Sequence, residues 1–477
     1  MRASHLVILL IVAATAVAVL PPRGCAGPQS TLLMTVWGMP FEDRLFLDGY
    51  ARGFERLHPG VRVQYERYAD VIPKYEAWHT IGRGADVMRT SLDRYPAQVA
   101  KGMLAPLDEF INDPEIGLSP AEQADFFPAL WRTLEIDGQR YALPSDNAQY
   151  GLYYNKQLFD RYNAAHPEQP LAYPSAEWTW EDLRRAADLL TVRDAAGQTV
   201  QYGISFDLWA WPFLAFLKQA GGELWDAEQT TTLINSDAGV EALEFLESLI
   251  PKDAPFRALD MADTASGPHA LFKSGKLAMM LDGSWRAPNV ELDNAALDFA
   301  VAPLPHHRRA AVTSGSVLWA ISSHSRNKRL AWQMVKWLVS REQSLRYWDT
   351  LRVAPPALLS VVNSPEFEET HGVVEEVDGR RRVLVPPMPH DKFADRAAWL
   401  RYAITPDPQT GEMPGFLAAA PYEADLEQKI GRVLVETVRG EKTARQALDD
   451  AVRDMHALID HDRATRGLPA VPRPCRP

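Results

Sequence analysis

The sequence predicts an α/β fold in which strands alternate with helices. Short apolar, β-favouring runs at residues 32–37, 61–65 and 85–88 are separated by stretches of helical periodicity. Alternation of this kind is typical of a parallel sheet with right-handed crossovers and helices on its faces. The chain has 477 residues and 14 Trp, which is enough for two or three packed domains.

Local signals place further elements along the chain. Thr179 is predicted to cap a helix, with Asp182 three residues on as its acidic partner. Gly275 is predicted to end another helix in the left-handed conformation, and the apolar run at residues 276–281 is typical of a buried strand. The other expected elements are strands at residues 141–144 and 151–154 and two C-terminal helices, one through Leu426, Ile430 and Val433 and one through Leu448, Val452, Met455 and Ile459.

Two segments lack this regularity. Residues 363–421 are rich in Pro and charge without clean periodicity, so we expect a long irregular excursion over the surface. The end of the chain, residues 460–477, is expected to be a mobile tail.

The composition excludes several classes of partner. The net charge is −12, and no run rich in Lys or Arg is present, which argues against nucleic acid as a partner. A charged fraction of 23% with 46% hydrophobic residues excludes a chain disordered throughout. An acidic chain with many aromatic residues suits a neutral polar ligand better than a polyanion.

The N-terminus has the pattern of an export signal. The apolar stretch at residues 6–20 has the length of a secretory core and is short for a membrane span, so residues 1–24 are predicted to be a signal peptide. We expect a periplasmic or cell-surface lipoprotein with the lipid on Cys25, and ordinary cleavage after Ala26 is the alternative. Because Cys25 and Cys475 are the only cysteines, neither a disulfide framework nor a structural zinc site is expected.

The segment from Phe272 to Trp285 gives the strongest sign of a ligand site. Asp282, Gly283 and Ser284 turn the chain off the end of the expected strand and present the indole of Trp285 there. Ligands of open α/β sheets bind in the crevice beyond the carboxyl ends of strands, and an indole beside polar donors suits a sugar ring. The alternative interpretation is that Trp285 is a core aromatic beside a turn.

Nine short segments then recur in the order of a known family. They are residues 53–61, 85–87, 102–107, 137–144, 152–156, 178–183, 275–285, 302–305 and 314–316. With these segments the chain, from about residue 32 to residue 459, resembles family 1 of the extracellular solute-binding proteins, the sugar-binding components of bacterial ABC importers. Each segment is weak alone, and the shared order makes the resemblance.

The resemblance implies a two-lobed, periplasmic-binding-protein-like fold. Each lobe would be a mostly parallel sheet flanked by helices, with the ligand cleft between the lobes. We expect residues 32–144 and 299–340 in lobe 1, and residues 145–298 and 341–459 in lobe 2. The implied function is capture of a sugar or oligosaccharide by lobe closure and its delivery to the membrane permease subunits of an ABC importer. The implied protein is a monomer without cofactor, metal or catalytic residues.

Thirteen residues are candidates for contact with the ligand. Aromatic faces stack on the C–H patches of a pyranose, and carboxylates, amides and hydroxyls hydrogen-bond its rim. The resemblance places the candidates in loops that reach the cleft and at the crossings between lobes. They are Trp37, Thr90, Ser91, Asp93, Asp146, Asn147, Tyr150, Trp209, Trp211, Asp282, Trp285, Ser316 and Arg352.

Several of these candidates have a structural alternative. Trp37 could be buried behind the first strand, and Asp93 could cap the helix that it opens. Trp209 and Trp211 would share one face if extended and would diverge if helical. Trp209 is favoured, because Pro212 suggests that Trp211 abuts a helix start.

Two rival functions remain open. A secreted carbohydrate-active enzyme would use two carboxylates at a fixed separation, which one sequence cannot show. However, no Gly-x-Ser-x-Gly, His-Glu-x-x-His or Gly-Lys-Ser/Thr motif is present. The other rival keeps the fold and binds a non-sugar solute such as glycerol phosphate or a polyamine. The number of Trp residues favours sugar, since a phosphate would call for clustered Arg.

Overall fold

The computed structural model describes residues 30–38, 42–252, 267–352, 354–368, 373–377, 380–385, 392, 415–417 and 419–472. The expected signal peptide, Cys25, Cys475 and most of the expected excursion at residues 363–421 lie outside the described residues. Among the described helices, none combines the length and the apolar composition that a membrane span requires.

The strands belong to two large sheets and two short hairpins. In chain order they are β1 (Ser30–Trp37), β2 (Val61–Tyr68), β3 (Val87–Ser91), β4 (Glu135–Ile136), β5 (Gln139–Arg140), β6 (Ala142–Pro144), β7 (Ala148–Asn155), β8 (Val192–Arg193), β9 (Thr199–Phe206), β10 (Leu277–Gly283), β11 (Phe299–Ala302), β12 (Val312–Gly315), β13 (Val317–Ala320), β14 (Val373–Val377), β15 (Arg380–Val385) and β16 (Gly415–Leu417).

The helices cover the faces of the two large sheets. In chain order they are α1 (Arg52–Leu57), α2 (Ile72–Thr80), α3 (Tyr95–Ala100), α4 (Asp108–Ile111), α5 (Pro120–Asp125), α6 (Pro128–Thr133), α7 (Lys156–Ala165), α8 (Trp180–Leu189), α9 (Ala210–Gln219), α10 (Asp237–Leu249), α11 (Pro268–Lys273), α12 (Ala287–Asp293), α13 (Lys328–Leu338), α14 (Arg341–Leu351), α15 (Leu359–Val362), α16 (Pro365–Glu368), α17 (Glu423–Val438) and α18 (Ala444–Thr465). A π-helical turn, Arg44–Ala51, precedes α1, and a 3-10 turn, Ser284–Arg286, precedes α12.

Both large sheets mix parallel and antiparallel pairs. The first has the order β2-β1-β3-β13-β6, with β1 parallel to β2 and β3 and with β13 antiparallel to both neighbours. The second has the order β16-β12-β7-β10-β9-β8, with β11 also paired to β7. The expected α/β architecture is present, but the sheets are not mostly parallel. The reason is that β7 and β13 arrive straight from the other sheet, without the long crossover that a parallel neighbour requires.

Each sheet has its own hydrophobic core, and we call the two units the first and second lobes. The first core contains buried residues of β1–β3, β6 and β13 and of α13 and α14. The second contains buried residues of β7, β9 and β10 and of α17 and α18. The sheets and the cores together form the two-lobed fold that the sequence predicts.

The expected assignment of two segments to the lobes is wrong. Residues 299–315 were expected in the first lobe, but β11 pairs with β7, and Phe299 and Val301 are buried in the second core. Residues 341–367 were expected in the second lobe, but Tyr347 and Trp348 are buried in the first core. The chain therefore crosses between lobes at Ser145, at Ser316 and again after Phe367, because strand pairing and burial decide lobe membership.

Local sequence signals agree with the structure at several positions. Thr179 and Asp182 form the expected capping box of α8. Gly275 has φ of +71° just beyond α11, and β10 follows with all seven residues buried. The mobile tail was expected to begin at residue 460, and this start is too early. Helix α18 continues to Thr465, and Val471 packs partly against the second core.

Candidate functional site

A cavity of about 750 Å³ lies between the two lobes. Residues from the ends of β1 and β3 form one wall, and residues around the start of α9 and the end of β10 form the other. Eight of the thirteen candidates line this cavity: Trp37, Ser91, Asp93, Asp146, Trp209, Trp211, Trp285 and Ser316.

Three tryptophans form an indole cluster on the second-lobe wall. The rings of Trp209 and Trp211 stack in parallel, with centroids 5.2 Å apart and 8° between their planes. Trp285 meets both edge-on, at 6.2 Å from Trp209 and 5.1 Å from Trp211. The cluster gives the cavity a large, rigid apolar surface of the kind that stacks on a flat ligand.

The start of α9 produces the parallel stacking of two of these indoles. Trp209 is the extended N-cap residue of α9, and Trp211 lies in its first turn. Because Trp209 is extended and only Trp211 is helical, the two indoles share one face, as expected for the extended alternative. Pro212 follows in the first turn, where its missing N–H costs nothing.

Two glycines give the indole cluster its space. A Cβ built on Gly283 would lie 2.1 Å from the Trp285 ring, and one built on Gly315 would lie 2.7 Å from Cη2 of Trp211. Real side chains do not approach so closely, so each indole rests on bare backbone. Trp285 is partly buried and packs against both cores, so it has a structural contact as well as a place in the cavity wall.

Asp146 lines the cavity at the point where the chain crosses between lobes, and its hydrogen bonds connect the surrounding segments. Its Oδ1 accepts a hydrogen bond from the Val317 amide at 2.9 Å, and its Oδ2 accepts one from the Tyr347 hydroxyl at 2.8 Å. Ser316 Oγ donates to the Asp146 carbonyl at 2.6 Å. Burial raises the pKa of the Asp146 carboxyl to about 6. This network joins two crossing segments and a helix of the first lobe.

Arg89 is a cavity residue that the sequence analysis missed. Its Nη1 donates to the Trp37 carbonyl at 2.6 Å and pairs with Glu42 Oε1 at 3.3 Å. The guanidinium carbon lies 4.8 Å from the centroid of the Trp37 ring. Side chains alternate along a strand, so Arg89 and Ser91 share the cavity face of β3. Thr90 faces the other way. The alternation of side chains along β3 could therefore have identified Arg89 from the sequence.

Thr90 and Asn147 do not reach the cavity. Thr90 is fully buried, and its hydroxyl donates to Gln98 Oε1 at 2.8 Å. Asn147 is buried outside the cavity lining, and its backbone N–H donates to the Pro355 carbonyl at 2.8 Å. Both are structural residues, because strand alternation and the crossing geometry turn them away.

Tyr150, Asp282 and Arg352 also lie outside the cavity lining. The Tyr150 hydroxyl accepts from Trp209 Nε1 at 3.2 Å, and Asp282 accepts from Arg286 Nε at 2.8 Å. These two residues therefore position groups that do line the cavity. Arg352 is buried in the left-handed conformation with φ of +48°, and its guanidinium carbon lies 5.5 Å from the Trp348 ring centroid.

The arginines that line the cavity are all paired with carboxylates. Arg89 pairs with Glu42, and the remaining three pairs are Arg67 with Asp43 at 2.7 Å, Arg94 with Asp93 at 3.0 Å and Arg286 with Asp282 at 2.8 Å. In the part of the chain that the structure describes, no three His, Cys, Asp or Glu side chains are grouped to hold a metal ion.

Glu427 is the other residue that the sequence analysis missed. It lines the cavity from α17, close to Trp211 and Asp93. Glu423, four residues earlier, is buried and its Oε2 accepts from Trp225 Nε1 at 2.8 Å. Both glutamates fall at helical spacing from the apolar residues Leu426 and Ile430. Acidic residues usually face solvent, so two glutamates on the apolar face of a helix indicate that they have a special environment. This pattern in the sequence could have identified Glu427.

The fold, the cavity between the lobes and the family match define the class of protein. The chain belongs to the family of bacterial extracellular solute-binding proteins, which matches residues 39–344.

Relatives and solved structures extend this assignment. The maltotriose-binding protein of Pyrococcus abyssi is 23% identical over 329 residues, which cover 67% of this chain and 64% of that protein. An ABC substrate-binding protein from Listeria monocytogenes, solved with cycloalternan, superposes with a TM-score of 0.70 at 19% identity, covering 92% of this chain and 99% of that one. The GacH receptor of Streptomyces glaucescens, solved unliganded and with acarbose, gives 0.70 at 20% identity, covering 90% and 98%. These structures share the fold of the present chain.

Proposed function

We propose that this protein captures a sugar or oligosaccharide between its lobes and delivers it to the permease subunits of an ABC importer. The observation behind the proposal is the indole cluster of Trp209, Trp211 and Trp285 in the cavity between the lobes. Indole faces match the C–H patches of a pyranose, and the polar residues opposite can hydrogen-bond its hydroxyls. The relatives named for sugars agree with this ligand class.

The polar groups for a sugar come from both lobes. Ser91 and Asp93 belong to the first-lobe wall, and Asn289 belongs to the second-lobe wall beyond Trp285. A ligand that contacts both walls is held better when the lobes approach, so closure is the expected response to binding.

Export and anchoring form part of the same proposal. Residues 1–24 would direct the chain across the membrane, and a lipid on Cys25 would keep it beside the importer at the periplasmic or cell-surface side. Membership of an extracellular family supports export. Mass spectrometry of the mature protein tests the lipid: a diacylglyceryl adduct on Cys25 is expected, and an N-terminus at residue 27 would contradict it.

Binding without chemical change is favoured over catalysis. The family is one of solute-binding proteins, and the cavity carboxylates Glu42 and Asp146 are occupied by hydrogen bonds within the protein. Prolonged incubation with a bound oligosaccharide should return it intact. Release of reducing ends that depends on Asp93 or Glu427 would support the enzyme instead.

A phosphorylated ligand is disfavoured by the arginine pairing in the cavity. Each arginine of the lining already has a carboxylate partner, so binding a phosphate would require breaking such pairs. Titration with glycerol phosphate should therefore give no saturable heat.

The proposal is tested by a ligand screen on residues 27–477. Thermal unfolding is followed with glucose, mannose and mannitol and with maltose, cello- and manno-oligosaccharides, followed by isothermal titration calorimetry of each stabilising compound. A ligand at a hundredfold excess over Kd stabilises the fold by ~2.7 kcal/mol. The expected result is stabilisation by a subset of sugars, and absence of any sugar response would overturn the proposal.

A further inference from the structure

Glu427 lines the cavity between the lobes and carries a carboxylate oxygen that has no hydrogen-bond partner among the described residues. This oxygen, Oε1, is buried and accepts no hydrogen bond from the part of the chain that the structure describes. An unsatisfied buried polar group destabilises the folded state, and more so when it is charged. Native structures keep few of them without a reason.

The other carboxylates of the cavity wall are satisfied. Asp146 accepts from Tyr347 and Val317, Glu42 pairs with Arg89, and Asp93 pairs with Arg94. Asp70 Oδ1 accepts from the Ile72 amide at 3.0 Å. Among the carboxylates of the described lining, Glu427 therefore differs in having an oxygen without a partner. It belongs to α17, which lies outside the region of residues 39–344 that the family matches.

The surroundings of Glu427 favour a positive charge. Asp93 faces it from the first lobe and Glu423 lies one turn earlier on α17, and both raise the pKa of Glu427, after burial as the main cause. Arg94 is the basic group that lowers this pKa, and Arg94 is already paired with Asp93 at 3.0 Å. An entering cation would relieve the repulsion among these carboxylates.

The indole cluster adds a second attraction for a cation. The Trp211 side chain lies close enough to Glu427 to lower the pKa of its carboxyl, so this carboxyl lies beside the cluster. Trp285 lies edge-on to Trp211 at 5.1 Å. Ammonium groups are attracted to an indole face, and more strongly when both groups are shielded from water. A ligand with both a sugar ring and an amine would use the indoles and the free carboxylate oxygen together.

We propose that the sugar taken by this cavity carries a protonated amine, which donates to Oε1 of Glu427 beside Trp211. The inference rests on the proposed sugar-binding function and narrows it from sugars in general to amino sugars and glycosides with a basic nitrogen. Glu427 acts here as the residue that determines specificity.

Matched probes isolate the amine. Glucosamine, glucose and N-acetylglucosamine differ only at C2, and chitosan, cellulose and chitin oligosaccharides repeat that comparison with a β-1,4 linkage. Calorimetric titration should show the free-amine probe binding at least tenfold tighter than both of its neutral analogues. Equal affinity for the amine and hydroxyl forms overturns the inference and leaves the proposed function standing. No response to any sugar overturns both.

Two variants identify the carboxylate. Glu427→Gln retains the shape and removes the charge, so it should bring the amine and hydroxyl probes to within about twofold of each other. Asp425→Asn, on the same helix but outside the cavity lining, should keep the wild-type preference. A preference that survives in Glu427→Gln overturns the assignment.

Proton release provides a readout that a merely structural role would not change. Titration at a pH below the pKa of the amine, in buffers with different ionisation enthalpies, counts the protons exchanged. Burial raises the pKa of Glu427 in the free protein and pairing with an ammonium group lowers it, so the amine probe should release more protons on binding than its neutral analogues, and Glu427→Gln should abolish that difference. Equal proton release by the amine probe and its neutral analogues in titrations repeated at pH 5, 6 and 7 contradicts the inference.

Discussion

The indoles of Trp211 and Trp285 meet edge to face, with centroids 5.1 Å apart and 84° between their planes. Each indole also lies directly over a glycine, Gly315 under Trp211 and Gly283 under Trp285. The two rings thus have a fixed orientation before any ligand is present. Such preorganisation reduces the ordering cost of binding.

Replacing Trp285 with Ala should weaken sugar binding by ~1–3 kcal/mol, because a stacked aromatic surface is lost. The ring also packs partly against both cores, so some stability should be lost too, but less than for a fully buried ring. Trp319→Ala is the matched control: Trp319 is 1% exposed in the first core, and its removal should cost ~3–5 kcal/mol of stability. Denaturant midpoints and calorimetric affinities of both variants distinguish a binding role of Trp285 from a structural one. A large stability loss with unchanged affinity in Trp285→Ala would make this residue structural.

Gly315→Ala should weaken sugar binding by displacing Trp211. The added Cβ would lie 2.7 Å from Cη2 of Trp211, so the indole must shift, and overpacking of this kind costs ~1–3 kcal/mol of stability. Gly431→Ala is the control, since its Cβ would find ordinary contact at 3.6 Å from the Leu208 carbonyl. That change removes a glycine from the interior of α17 and should leave stability equal or higher by up to ~1 kcal/mol. Equal stabilities and affinities for the two variants would refute the close approach.

Stability should fall as pH rises, through the buried carboxyl of Glu423. Burial raises the pKa of Glu423 from 4.5 to about 7, so the folded state holds a proton that the unfolded state has already lost. The free energy of unfolding should therefore decrease between about pH 4.5 and pH 7, by on the order of 3 kcal/mol from this group, and then level off.

Glu423→Gln should remove that part of the slope and be more stable than the wild type at pH 8. Its amide oxygen can still accept from Trp225 Nε1, as Oε2 does now. Glu228→Gln, at an exposed position, should retain the wild-type slope. Urea unfolding from pH 4.5 to pH 8 measures all three proteins. A Glu423→Gln profile parallel to that of the wild type would show that Glu423 does not hold the proton.

Ligand should draw the lobes together. Trp37 and Ser91 line the cavity from the first lobe, and Trp209 and Trp285 line it from the second, so a sugar touching both walls favours the closed arrangement. Small-angle X-ray scattering should show a smaller radius of gyration at saturation with sugar. An unchanged profile, with saturation established by calorimetry on the same sample, would speak against closure.

Local signals in the sequence were enough to predict individual elements. The Thr179 capping box and the Gly275 helix end depend on residues within one turn, so the sequence determines them directly. Lobe membership was predicted less well. Whether Phe299 or Tyr347 belongs to one core or the other depends on strand and helix partners far away in sequence, and no local pattern encodes those partners.

In the candidate site, too, some residues could be predicted from local sequence and others depend on distant contacts. The indole of Trp285 could be predicted because a turn at the end of a strand exposes it. Arg89 could have been chosen over Thr90 by strand alternation. Glu427 could be placed in the cavity only by folding α17 against the second lobe, and its free oxygen depends on which partners every neighbouring carboxylate has already taken.

The interleaving of the two lobes has a consequence for synthesis of the chain. Among the described residues, every buried side chain of the first core has been made once Phe367 is complete, whereas the second core still lacks α17 and α18, which begin at Glu423. A product terminated between these points would have one finished lobe and one with its apolar sheet face uncovered. Such a fragment would be prone to aggregation and to proteolysis, so the two C-terminal helices protect the part of the second lobe that is made before them.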